Sequence, residues 1–199
     1  MLAARHNPFG AGHLGTIDYI PQKLSWEQLL IRLKELDSTA ALVGPHGSGK
    51  TTLLKSLEKR LREAGIPTAM LFVSLDVALP WPVIRETVQS LPPYGVLCFD
   101  GACHLPFIRF RQLRYLIRKQ HAGLIITSHD EGLLPTLIQC QPRLELLTEL
   151  TCRLLKEKDA IAPSHLATLF ETHKGNVRDC LWQLYDEYAD NLPVFSSCR

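Results

Sequence analysis

Eight consecutive residues, Gly44-Pro45-His46-Gly47-Ser48-Gly49-Lys50-Thr51, follow the pattern G-x-x-x-x-G-K-[ST]. The glycines let the backbone curl so that successive N–H groups point at one anion. A helix starting at Lys50 would aim its positive end at the same place. Lys50 has the reach for β- and γ-phosphates, and the Thr51 hydroxyl is a hard oxygen donor suited to Mg²⁺. Thr52 follows in the same first helical turn. The chemistry is that of a nucleotide polyphosphate cradle, with Gly44 to Thr52 as its candidate binding residues.

A second element lies about fifty residues on. Val96-Leu97-Cys98-Phe99-Asp100 is four apolar residues and then an aspartate. A carboxylate at the C-terminal end of a buried strand can hold a Mg²⁺ shell through water, so Thr51 and Asp100 are the candidate metal residues. The next position is Gly101, which has no side chain to orient water or take a proton. His104, His129, Asp130 and Glu131 are nearby alternatives in sequence. Leu124-Ile125-Ile126-Thr127-Ser128-His129 is another apolar run with a polar end. Thr127 or Ser128, with His129 as an alternative, could read a γ-phosphate there.

These residues need a scaffold that presents strand ends side by side. Apolar runs at 39–43, 68–75, 95–99 and 123–127, with a weaker one at 136–140, read as strands. They alternate with amphipathic helices over 50–64, 82–90 and 106–120. That alternation predicts an α/β fold, a parallel sheet covered on both faces. Ahead of it, Ser25 and Gln28 have the spacing of a capping box. After Gln141 the strands stop, and 144–158, 164–172 and 176–188 read as helices separated by Pro163 and Gly175. The expected organisation is an N-terminal arm over 1–24, extended and irregular, then an α/β nucleotide-binding domain over 25–141. A helical lid over 142–192 and a tail over 193–199 complete it.

The late motif Gly175-Asn176-Val177-Arg178, with the phosphate loop, Asp100 and the Thr127-Ser128 strand end, resembles the AAA+ P-loop ATPases. The short Asn7-Pro8-Phe9 is similar to the N-terminal segment of the ExeA/TniB-like branch; an origin-recognition-like branch is the alternative. The resemblance spans about residues 7–190. It implies a P-loop NTPase three-layer fold with a five-stranded sheet in order 5-1-4-3-2 and a small helical lid. It implies ATP and Mg²⁺ as cofactors, with Lys50, Asp100, Thr127, Ser128 and Arg178 as the working residues, Arg178 contacting phosphate from the lid. It also implies assembly with copies or partners, in which an arginine finger reaches a neighbour's nucleotide; Arg143 and Arg153 are the residues in the matching stretch. Two function classes follow. One is an ATPase of low intrinsic activity whose nucleotide state moves the lid to act on a protein partner. The other is an ATP-binding switch or scaffold with little hydrolysis, because Gly101 stands where a glutamate is usual.

Composition narrows the rest. With 46% hydrophobic and 21% charged residues among 199, the chain is globular rather than disordered. A formal charge of +2 argues against wholesale nucleic-acid binding. Arg111, Arg114 and Arg118 share one helix face and leave DNA as an unfavoured option, a solvated face being the plainer reading. No apolar run reaches the roughly 18 residues that span a bilayer. Met1 to Gly10 lacks the apolar core of a signal peptide, so the expectation is cytoplasmic. The six cysteines form no C-x-x-C pair and read as reduced, with Cys98, Cys103 and His104 read as metal-free. Trp26, Trp81 and Trp182 read as core residues, with Trp81, between two prolines, as an alternative contact residue.

Overall fold

A computed structural model describes residues 7–14, 17–74, 79–156 and 161–190. The first six residues of the arm, the tail over 193–199, and the ends of the runs expected at 75 and 157–158 lie outside the described residues. The chain divides into two compact units.

The larger unit, residues 21–45 and 49–140, is an α/β layer structure. Its elements are α2 (Trp26–Glu35), β1 (Thr39–Val43), α3 (Lys50–Glu63), β2 (Thr68–Phe72), α4 (Trp81–Ser90), β3 (Val96–Asp100), α5 (Phe107–Lys119), β4 (Gly123–Ser128) and β5 (Thr136–Gln139). The strands form one parallel sheet in the order β2-β3-β4-β1-β5. This is the expected order, read from the opposite edge. β3 and β4 are interior strands and are buried along their whole length, which is why they read as continuous apolar runs without alternation. β2 is an edge strand, and Met70 and Phe72 on it are exposed.

The core on one side of this sheet joins Leu97, Phe99, Leu124 and Ile126 to Ile84, Val88, Phe110, Leu113 and Ile117 of α4 and α5. Burial of each such side chain stabilises the fold by about 1.5–3 kcal/mol. α2 starts at a complete capping box: Ser25 Oγ accepts from the Gln28 amide at 3.2 Å, and Gln28 Oε1 accepts from the Ser25 amide at 2.9 Å.

The smaller unit comprises residues 1–20, 46–48 and 141–199. It holds α1 (Ala11–Leu14), α6 (Leu144–Leu155), α7 (Pro163–Thr172) and α8 (Val177–Ala189). The N-terminal stretch expected as an extended surface arm departs from that reading. It carries the four-residue α1, and Phe9 is only 1% exposed, packed with Leu147, Leu166, Leu169 and Leu184. Asn7 is buried with it: its Nδ2 donates to the Tyr185 carbonyl at 2.8 Å, and its Oδ1 accepts from the Phe9 amide at 3.0 Å. An aromatic ring gains more from a ready apolar cleft than from solvent, and the Asn side chain satisfies the backbone that has to follow it in.

Candidate functional site

Gly44 to Thr51 makes the passage from β1 into α3. Gly47 and Gly49 have φ of +71° and +83°, the left-handed region that costs other residues about 1–2 kcal/mol. These two glycines produce the curl. The N-cap residue Gly49 has no side chain to cap α3, and a helix N-terminus directs its first N–H groups at an anion. Lys50 Nζ donates to the carbonyls of Gly44 at 2.6 Å and Pro45 at 2.7 Å, which holds the ammonium over the loop. Ser48 is buried; His46 and Thr52 are exposed.

The sheet register then brings two distant segments together. Phe99 pairs with Ile126, so Asp100 and Thr127 are the next step along neighbouring strands. Thr127 Oγ1 donates to Asp100 Oδ1 at 2.6 Å and accepts from the Gly101 amide at 2.8 Å. Thr51 Oγ1 donates to the other carboxylate oxygen, Oδ2, at 2.8 Å. Lys50 and Thr51 from the loop, Asp100 from β3 and Thr127 from β4 thus share one end of the α/β unit. The Thr51 hydroxyl and the Asp100 carboxylate are hard oxygen donors side by side, a set that fits Mg²⁺. Ser128, the other strand-end candidate, turns elsewhere: its Oγ donates to the Asp130 carbonyl at 2.7 Å.

Gly101 has a local reason to be glycine. Its φ is +80°, and a Cβ built on it would collide with the Val73 carbonyl. The chain beyond β2 lies against this position, with the Val73 amide donating to the Asp100 carbonyl at 2.9 Å. A glutamate here is barred by backbone, whatever chemistry would favour it. Of the other acids considered, Glu131 Oε1 accepts from Gln139 Nε2 at 2.7 Å and from Thr136 Oγ1 at 3.3 Å, on an exposed face. The His104 and His129 rings meet edge to face with centroids 6.2 Å apart.

Arg178 belongs to the helical unit, exposed in the first turn of α8. Its motif has a complete capping explanation. Gly175, at φ +80°, follows the end of α7. Asn176 Oδ1 accepts from the amides of Arg178 at 3.1 Å and Asp179 at 3.4 Å, and its Nδ2 donates to Asp179 Oδ2 at 2.6 Å. Arg143 is exposed at the start of α6. Arg153 pairs with Glu149 at 2.7 Å along the same helix.

On α5, Arg111 and Arg118 are exposed and Arg114 is half-buried. The Arg111 guanidinium lies 5.8 Å from the Phe107 ring centre, and that of Arg109 5.0 Å from Trp81. Trp81, Arg85, Phe107, Arg111 and Tyr115 line an open groove of about 550 Å³. Two tryptophans depart from the core assignment. Trp182 is 62% exposed, and Trp26 is half-buried with the Arg60 guanidinium 4.0 Å from its ring centre. An amphipathic helix can carry a ring on its wet face where a cation covers it or where the core is already filled.

No protein-family model matches the chain, and no curated protein matches it. Solved structures do. A RuvB variant from Thermotoga maritima aligns at TM-score 0.63 and 19% identity, covering 90% of this chain and 65% of its own. DnaA from Aquifex aeolicus bound to AMPPCP aligns at TM-score 0.62 and 14% identity, covering 89% of this chain and 64% of its own. A replication initiator DnaA bound to AMPPCP and single-stranded DNA aligns at TM-score 0.61 and 14% identity, covering 90% and 65%. The chain has the AAA+ P-loop ATPase fold. It spans just under two thirds of the length of these AAA+ structures. In this AAA+ fold β1 sits between β4 and β5, so the phosphate loop leaves the sheet close to the β3 and β4 ends that carry Asp100 and Thr127.

Two features escaped sequence reasoning. The burial of Asn7 and Phe9 in the helical unit did, although their short motif stood out, a lone aromatic in a Gly/Pro-rich stretch being the available signal. Thr127 could be separated from Ser128 only by the cross-strand register.

Proposed function

We propose that the chain binds ATP with Mg²⁺ on the Gly44–Thr52 loop and uses nucleotide state to reposition its helical segment against a partner. The observation that carries this reading is the hydrogen-bonded set Thr51–Asp100–Thr127 beside Lys50. Lys50 would leave the loop carbonyls for the β- and γ-phosphate oxygens, and the helix N-terminus would meet the same charge. Thr51 would hold Mg²⁺ directly and Asp100 through its water shell; the ion supplies charge neutralisation between phosphates. Thr127, tied to Asp100, would sense the γ-phosphate through that carboxylate, with Ser128 in a lesser role. Arg178 would couple the helical segment to phosphate, and an arginine finger, if copies assemble, would come from Arg143 more readily than from the paired Arg153.

The blocked position at Gly101 favours slow turnover, and so a switch, in the isolated chain. The second reading, an ATPase that drives its partner, is supported by the otherwise full set of groups; His104 and His129 would then be the water-positioning candidates. A protein partner or self-assembly suits the exposed Phe107, Ile108 and Tyr115 better than DNA does. Arg111 already lies near a ring, and the net charge is small. Among the described residues no helix is long and apolar enough to cross a membrane, which is compatible with a cytoplasmic setting.

The test is ATP binding and phosphate release by the purified chain beside Lys50→Ala. Loss of the charge-assisted bonds should cost about 2–3 kcal/mol, on the order of a hundredfold in Kd. Unchanged binding in Lys50→Ala would overturn the proposal.

A further inference from the structure

Three side chains with metal-ligand chemistry converge beside the β3 and β4 ends. Cys103 Sγ and ring nitrogens of His104 and His129 all lie within 4.8 Å of one another, and all three residues are half-buried. They come from separate segments. Cys103 and His104 sit on a single 3₁₀ turn, Ala102–His104, directly after β3; His129 directly follows β4. β3 and β4 are hydrogen-bonded neighbours, so the sheet delivers both segments to one rim. Gly101 makes the turn possible, and its carbonyl accepts from the His104 amide at 2.9 Å, which fixes the backbone carrying two of the three donors.

We propose that Cys103, His104 and His129 form a three-ligand Zn²⁺ site. One thiolate and two imidazoles are a borderline-soft donor set. It suits Zn²⁺ and is poor for Mg²⁺, which wants oxygen. With Zn–N and Zn–S bonds of about 2.0–2.3 Å, tetrahedral geometry places donors about 3.3–3.8 Å apart. The 4.8 Å within which the donors lie exceeds that by at most roughly an ångström, a gap that side-chain rotation at partly exposed positions can close. Three protein ligands leave a fourth position for water, the arrangement of an open site. Binding requires the thiolate, so Zn²⁺ uptake releases the Cys103 proton to buffer. The proposal does not rest on nucleotide binding, because none of the three residues belongs to the Lys50–Thr51–Asp100–Thr127 set; a metal there would occupy His104 and His129, the water-positioning candidates of the second reading.

The test uses the full chain without nucleotide or Mg²⁺, titrated with Co²⁺ as a spectroscopic stand-in and then with Zn²⁺. The expected result is one equivalent of Co²⁺, with a thiolate-to-cobalt charge-transfer band and tetrahedral visible bands, displaced by Zn²⁺. Cys103→Ser should remove the charge-transfer band, and His129→Ala should weaken binding roughly a hundredfold, at least the loss typical of disturbing a metal's supporting shell. Cys152→Ser and Lys50→Ala should keep both band and stoichiometry. Thermal melts of each variant confirm folding. Absence of a stoichiometric charge-transfer band, or its persistence in folded Cys103→Ser, would overturn the proposal.

Discussion

The Thr127 hydroxyl donates to Asp100 Oδ1 at 2.6 Å across neighbouring parallel strands. Thr127 Oγ1 also accepts from the Gly101 amide, so one side chain ties the acid to the turn that follows it. Thr127→Val keeps the shape and removes both bonds, leaving a half-buried N–H and a carboxylate oxygen without this partner. The expected loss is about 1–3 kcal/mol. For a chain of this length that lowers Tm by several degrees, at about 2–4 °C per kcal/mol. Thr127→Ser should restore most of it. Calorimetry on the three proteins is the check, and equal Tm values for Val and Thr would remove the structural role assigned to this hydroxyl.

Gly101→Glu tests whether the missing acid can be supplied in place. The residue would have to adopt φ near +80° or displace the Val73 carbonyl. The expected outcome is a chain destabilised by about 2 kcal/mol or more, with no gain in phosphate release. Urea denaturation and a turnover assay on the same preparation read both. A stable, faster variant would show that the turn yields more easily than its geometry indicates.

Phe9 anchors the N-terminal stretch in the helical unit. Phe9→Ala should cost about 3–5 kcal/mol, the usual range for emptying a buried aromatic site. The loss should appear first in α6–α8, as faster amide exchange there than in β1, β3 and β4. Uniform exchange across both units would contradict a local anchor.

Burial pushes the Cys98 thiol up to about 12, with the negative charge of Glu58 adding to the effect. In the unfolded chain the thiol ionises near its ordinary value of 9.0. The folded state therefore retains a proton that the unfolded state loses. The stabilisation is complete below pH 9 and is lost as pH rises toward 12. Between pH 8 and 10 the stability advantage of the natural chain over Cys98→Ala should narrow by about 1.4 kcal/mol. Urea midpoints at both pH values measure it; a constant gap would refute the assignment.

Legibility followed range in sequence. The phosphate loop and the α2 cap depend on residues within a few positions of one another, and their spacing was sufficient. β3 and β4 were visible because burial on both faces leaves uninterrupted apolar runs. The order of the strands came from resemblance, since parallel strands carry no local mark of their neighbours. What stayed hidden depends on contacts between distant segments. Nothing near Phe9 announces Leu147 or Leu184 as its partners, and nothing near Cys103 announces His129. Trp182 misled for the converse reason: a large apolar ring suggests burial, but the inner face of α8 is already filled by Val177, Cys180, Leu181 and Leu184.

The carbonyl of Val73 also constrains which side chains position 101 can accept. A single codon change at position 101 meets a backbone obstacle before it meets selection for activity. On the proposed nucleotide chemistry, a variant that gains a carboxylate at 101 would first have to reroute the peptide leaving β2, and one that keeps glycine there would need its water-positioning group from a different strand end. The two ways forward leave different traces. The first would show as an altered length or composition between residues 73 and 81, the second as changes near 104 and 129 while residue 101 stays glycine.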